Sequence, residues 1–202
     1  MRVFGARGCG SAITEAMLAL VGQPYEFIDV EGFHLPGPAR ELLGTVNPLH
    51  QVPALVLDDG TILTETAAIT LSLSDRFAGL APAVGAPERT RFFHLLIWLV
   101  ANVYPTFTYG DYPKRWAPSA SDELDQATGR YREGLYLWLE EQVSEPFVLG
   151  PAVGALDIYL AVIVAWRPRL EWFQRNTPRI ARIAERTRLL PPIAEVMRSN
   201  GW

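Results

Sequence analysis

The chain has a single cysteine, Cys9, so no disulfide can form within it and a reducing compartment is expected. Its three histidines, at positions 34, 50 and 94, are isolated and show no metal-ligand spacing. Positive charge is not in excess. The 18 Lys and Arg stand against 22 Asp and Glu, a formal net charge of -4. A general nucleic-acid binder carries a basic field, which is missing here. The densest basic stretch, Arg167 to Arg188, contains Glu171 and Glu185 and reads as a solvated helix face. No apolar run reaches the ~20 residues that span a bilayer. The most apolar stretch, Ala152 to Trp166, is interrupted by Asp157. The first ten residues lack the apolar region of a secretory signal, so a cytoplasmic location without membrane attachment is expected. Neither a P-loop nor a GxGxxG phosphate signature is present.

The 202 residues are 49% apolar, enough to bury a sizeable core in one large or two small domains. The first part alternates strand and helix. Met1 to Phe4 reads as a strand. A turn with Gly5, Gly8 and Gly10 follows, and then Ser11 as N-cap of a helix carrying Ile13, Met17 and Leu20. Tyr25 to Val30 reads as a second strand and Pro38 to Thr45 as a short helix. Asp58-Asp59-Gly60 joins strands at Ala54–Leu57 and Thr61–Leu63 as a hairpin. Thr64 then caps a helix through Phe77.

After a Gly-, Ala- and Pro-rich stretch the pattern is helical only. One helix starts at Glu88, with Pro105 expected to kink or end it. Another starts at Ser121, with Leu124, Ala127, Tyr131, Leu135 and Trp138 as its apolar stripe. Ala155 to Trp166, a helix opening at Thr177-Pro178, and a last short helix complete the set. The expected architecture is an α/β unit of order βαβαββα over residues 1–79, a linker over 80–87, and an all-α unit over 88–202.

Three segments resemble the glutathione transferase family. One is Gly22-Gln23-Pro24-Tyr25-Glu26. The most specific runs from Asn47-Pro48 through Val52-Pro53-Ala54-Leu55 and the acidic turn to Glu65-Thr66 before a helix. The third is Leu149-Gly150 with Asp157 at the third position of a helix, where Gly154 replaces the usual Ser or Thr of the capping box. The resemblance covers essentially the whole chain. It implies a thioredoxin-like N-terminal domain, an all-α C-terminal domain, a homodimer, and glutathione as co-substrate with no metal.

Glutathione offers two carboxylates, an ammonium and a thiol. On the resemblance, Val52 before a cis Pro53 pairs with the cysteinyl backbone. Glu65 and Thr66 at a helix N-terminus take the γ-glutamyl ammonium and carboxylate. Gln51 and His50 lie toward the glycyl end, while His34 and Arg40 border the cleft as surface residues. Thiol activation needs a donor near the first helix. The family's serine or cysteine positions fall on Gly8 and Gly10, which leaves Ser11, Cys9 or the backbone amides of residues 9–11. Tyr104, Phe107 and Tyr109 offer an aromatic wall for a hydrophobic electrophile. A glutathione transferase is therefore expected. The alternatives are a binding protein of the same fold without turnover, or glutathione-dependent thiol transfer or isomerisation.

Overall fold

The computed structural model describes all 202 residues. Four short strands, β1 (Arg2–Gly5), β2 (Glu26–Asp29), β3 (Ala54–Val56) and β4 (Ile62–Thr64), form one sheet in the order β2-β1-β3-β4. β2 runs parallel to β1 through the crossover helix α1 (Ser11–Leu20). β3 and β4 are antiparallel to their neighbours. Asp59 stabilises the β3–β4 turn by accepting the Thr61 N–H on Oδ1 at 2.9 Å, and Gly60 takes φ 85° there.

Alternation sorts the two faces of the sheet. Val3 and Leu55 point to α1 and to α3 (Thr66–Arg76), joining a large core with Ile13, Met17, Ile69 and Leu73. Phe4, Ala54 and Val56 point the other way. They form a small cluster with Leu43 of α2 (Pro38–Gly44) and with Val30. This is the thioredoxin-like layer arrangement expected of the first part.

The rest is helical: α4 (Glu88–Trp98), α5 (Tyr104–Asp111), α6 (Pro113–Trp116), α7 (Ser121–Glu140), α8 (Ala155–Ile163), α9 (Leu170–Asn176), α10 (Pro178–Arg188) and α11 (Pro191–Ser199). Every residue of α8 is buried, and its side chains share the core that continues into α1 and the sheet. No helix is long and apolar enough to cross a membrane.

Asp157 caps α8. Its Oδ2 accepts the Gly154 N–H at 2.8 Å and its Oδ1 accepts the Val148 N–H at 2.7 Å. The missing cap hydroxyl has a physical reason. A Cβ on Gly154 would sit 3.0 Å from the Leu80 carbonyl oxygen, and that carbonyl accepts the Ala155 N–H at 2.8 Å. The segment after α3 thus supplies the cap that a side chain would otherwise give. Glu140 does the same for α10, accepting the Arg179 and Ile180 N–H groups at 2.9 and 3.0 Å.

Four expectations are corrected. Thr64 ends β4, and Glu65, not Thr64, is the N-cap of α3, which runs to Arg76. Ser11 is the first residue inside α1, not its N-cap, and Gly10 takes the cap position without a side-chain bond. Pro105 does not end its helix. A π-helical turn over Leu99–Val103, closed by the Tyr104 N–H to the Leu99 carbonyl, places the proline in the first turn of α5, where a missing N–H costs little. On α7 the buried face is Arg132, Tyr136 and Leu139, whereas Tyr131 and Trp138 are exposed. Trp138 stacks on Trp98 of α4 at 4.4 Å between ring centroids, while Leu135 packs against the core.

Candidate functional site

The topology brings three loops to one end of the sheet. Phe4 pairs with Ala54 and Ala54 with Thr64. The end of β1, the start of β3 and the end of β4 therefore lie side by side. The loop Ala6–Gly10, the step Val52-Pro53, and Glu65-Thr66 all leave from that edge.

The Val52–Pro53 peptide bond is cis. Pro53 is buried and Val52 half-buried. Neither the N–H nor the carbonyl of Val52 has a partner in the chain. The Asn47 side chain holds the approach by donating to the Gln51 carbonyl at 2.9 Å. Gln51 is exposed. His50, at φ 52°, turns toward α2, where its Nδ1 lies 3.1 Å from the Arg40 carbonyl oxygen. A Cβ on Gly44 would meet the His50 ring at 2.9 Å, so that glycine makes room for it. Arg40 donates to the Phe33 carbonyl, and His34 is exposed with its ring edge on Phe33.

Glu65, at φ 65°, is the N-cap residue of α3 and is exposed. Thr66 is buried. The N–H groups of Thr66, Ala67 and Ala68 have no acceptor in the chain, the usual state of a first helical turn and a ready anion site.

Arg7 to Gly10 pass close by. A Cβ on Gly10 would sit 4.0 Å from Thr66 Cγ2 and 3.9 Å from Trp166 Cη2. The N–H groups of Gly10 and Ser11 are without acceptors. The Ser11 hydroxyl is buried and donates to the Ala6 carbonyl at 3.1 Å. Gly5 permits this, because a Cβ there would lie 2.4 Å from Ser11 Oγ. Cys9 is half-buried, and burial, with the Glu31 carboxylate adding to it, pushes its thiol up to about 11. At neutral pH it is a protonated donor, not a thiolate.

The loop is held from the far end of the chain. The Trp166 indole donates to the Gly8 carbonyl at 3.0 Å, and the Gly8 N–H donates to Asn200 Oδ1 at 3.0 Å. Asn200 also donates to Glu15 Oε1 at 3.3 Å, and Arg7 donates to Glu15 Oε2 at 3.1 Å. Glu15 is buried, and desolvation raises its pKa despite these donors.

The helical wall carries Tyr104, Phe107 and Tyr109. Tyr104 and Phe107 meet Trp166 edge-on, at 6.0 and 5.1 Å between centroids. The Tyr104 hydroxyl is buried without a hydrogen-bond partner, although Thr66 and Tyr159 are its neighbours. Tyr109 is exposed and packs edge-on against Trp116. Tyr112 also approaches the loop. After burial, the nearby Cys9 is the main cause that raises its pKa. Sequence reasoning named neither Tyr112, Trp166 nor Asn200 as site residues. Only Trp166, at the end of an apolar helix, carried a signal, and it was that of a core residue.

Comparison with known proteins decides the family. Residues 11–76 match the glutathione S-transferase N-terminal domain. Over 201 residues the chain is 49% identical to an uncharacterized GST-like protein, YncG, of Escherichia coli K12, covering 99% of this chain and 98% of that one. The chain belongs to the glutathione S-transferase family. It is also 25% identical over 207 residues to glutathione S-transferase GstA of Escherichia coli O157:H7, covering 100% of this chain and 99% of that one. Among solved structures, a sphingomonad glutathione S-transferase complexed with glutathione superposes with a TM-score of 0.82 at 27% identity, covering 100% and 99% of the two chains. BphK, a bacterial glutathione S-transferase solved as a ternary complex, gives 0.80 at 25% identity with full coverage of both. Within this glutathione S-transferase framework, the three converging loops mark the candidate site.

Proposed function

We propose that this glutathione S-transferase family member binds glutathione across the three loops and activates its thiol for attack on a hydrophobic electrophile. The observation that carries the reading is the convergence of unpaired groups. The free main chain of Val52 suits the cysteinyl unit. The unpartnered amides of α3, with Glu65 and Thr66, suit the γ-glutamyl carboxylate and ammonium. Gln51 faces the glycyl end, and His50 supports that loop through Arg40.

The thiol then falls at the N-terminus of α1. There the Gly10 and Ser11 amides and the Cys9 S–H donate to the sulfur, favouring the thiolate. Ser11 serves by fixing the loop to Ala6. The thiol proton leaves to solvent, and the sulfur lone pair forms the new bond to the electrophile held against Tyr104, Phe107 and Tyr109. A protonated Cys9 disfavours thiol transfer through a mixed disulfide.

A second reading, glutathione binding without turnover, is favoured by the Ser11 hydroxyl being committed to Ala6 and by Gly8 and Gly10 bearing no side-chain donors. Calorimetric titration tests the shared part. Glu65→Ala with Thr66→Ala should weaken glutathione binding by about tenfold or more, since hydrogen bonds to charged groups contribute ~1.5–3 kcal/mol. An unchanged Kd contradicts the site. Turnover of chlorodinitrobenzene separates the two readings.

We also propose residues 1–79 as the glutathione-binding domain, 80–87 as its linker and 88–202 as the helical domain. The exposed apolar Phe93 and Ile97 of α4 and Trp138 of α7 support a homodimer across that face. Ile97→Glu should give monomers in sedimentation.

A further inference from the structure

Behind the cleft, four hydroxyls gather beneath the N-terminus of α3. Thr66 and Thr70 come from α3, Tyr104 opens α5, and Tyr159 comes from α8. The Tyr104 and Tyr159 rings lie 6.3 Å apart between centroids. Thr66 and Trp166 both border Gly10, and the Trp166 ring lies 6.0 Å from that of Tyr104.

Two of the four protons can be assigned. Thr70 Oγ1 donates to the Thr66 carbonyl at 2.7 Å. In its 3.1 Å contact with Tyr159 the phenol is therefore the donor and the threonine the acceptor. This chain ties the first turn of α3 to α8. Tyr104 differs. Its hydroxyl is closed to solvent and has no partner in the chain. Burial raises its pKa well above the ordinary phenol value, so it keeps its proton. The Thr66 hydroxyl opposes that rise, and with Thr70 it does the same at Tyr159, so it faces both phenols. Thr66 also keeps 7% exposure beside Gly10, so it can meet a ligand while Tyr104 Oη cannot.

A buried donor without an acceptor is costly. We propose that Tyr104 is a positioning residue for glutathione, donating to Thr66 Oγ1 when the Thr66 proton turns to the γ-glutamyl carboxylate. The role rests on the glutathione site proposed above. A hydroxyl that donates outward is a better acceptor behind, so the two bonds strengthen each other. The Tyr104 ring still walls the cleft, but its hydroxyl acts only through Thr66.

A double-mutant cycle on the full chain tests this, with calorimetric titration of glutathione and melting curves of the free protein. Tyr104→Phe keeps the ring. It should weaken glutathione about fivefold, the size of one hydrogen bond. The melting temperature should be unchanged or higher, because only an unpaired hydroxyl is lost. In a Thr66→Val background, itself weaker in binding, Tyr104→Phe should have no further effect. In Thr66→Ser, which keeps the hydroxyl, the fivefold loss should return. Tyr104→Phe that lowers the melting temperature, leaves glutathione affinity unchanged, or costs as much in Thr66→Val as in the parent overturns the proposal and leaves the glutathione site standing. Thr66→Val without effect on affinity overturns that site, and the role of Tyr104 with it.

Discussion

Replacing Asn200 by alanine would release the loop at the candidate site from the opposite end of the chain. Two bonds of different kind are lost. The Gly8 N–H loses its acceptor, which costs about 1 kcal/mol when water can partly replace it. The buried Glu15 loses one donor, and a hydrogen bond to a buried charge is worth about 2 kcal/mol. Together they amount to about 3 kcal/mol, or a melting point lower by about 6–12 °C for a chain of this length.

The two parts separate by pH. Glu15 already has a raised pKa from burial, and removing a donor raises it further. The donor stabilises only the ionised carboxylate. The Glu15 part of the loss is therefore full at about pH 8 and fades as the carboxyl protonates on acidification, while the Gly8 part stays. Melting curves at about pH 8 and pH 4.5, with glutathione titrated into the same samples, give both readouts. Glutathione affinity should fall about fivefold, as expected from ~1 kcal/mol of lost preorganisation in the Gly8–Ser11 segment. An equal fall in melting temperature at both pH values, with unchanged glutathione affinity, would refute the claim that Asn200 couples the last helix to the loop.

Glycine replacements in the same loop should split. Gly8 sits at φ 76°, so Gly8→Ala should destabilise by about 1 kcal/mol, whereas at Gly10 a Cβ meets only ordinary contacts, so Gly10→Ala should match or slightly exceed the parent in urea unfolding. Asp157 is pushed up by burial from 3.8 to about 6, so the folded state holds an extra proton between those values and stability falls as pH rises through them. Asp157→Asn should flatten that fall by about 2–3 kcal/mol in unfolding curves across the window, leaving a residual slope of the same sign from Glu15. Alkylation of Cys9 should be slow at neutral pH and accelerate only toward about pH 11; fast reaction with a midpoint below about 8 would restore thiol transfer as a reading.

Much of the site was legible because its chemistry sits in one contiguous stretch. The run from Asn47 to Ile69 carries the Val-Pro step, the hairpin and the α3 N-terminus, and strand pairing folds that run onto the end of β1. The strands at Met1–Phe4 and Ala54–Leu57 were likewise legible, and pairing sets them side by side. What escaped came from distance in sequence. Trp166 and Asn200 grip Gly8 across separations of 158 and 192 residues, and nothing local to either announces it. Ser11 read as a cap because a serine before an apolar helix often is one; its true neighbour is the empty space over Gly5 on the adjacent strand. The α7 stripe misled because apolar spacing does not say which neighbour a face covers. Tyr131 and Trp138 face outward, and Arg132 is buried with its guanidinium over the Phe107 ring at 4.4 Å.

Ultraviolet difference titration of bound glutathione against pH tests the central claim most directly. Thiolate absorbance appearing with a midpoint well below that of the free thiol, and surviving in Ser11→Ala, is the result expected if the α1 amides and Cys9 stabilise the sulfur. Bound glutathione that shows no thiolate near neutral pH would contradict activation and leave a protein that holds glutathione without using it.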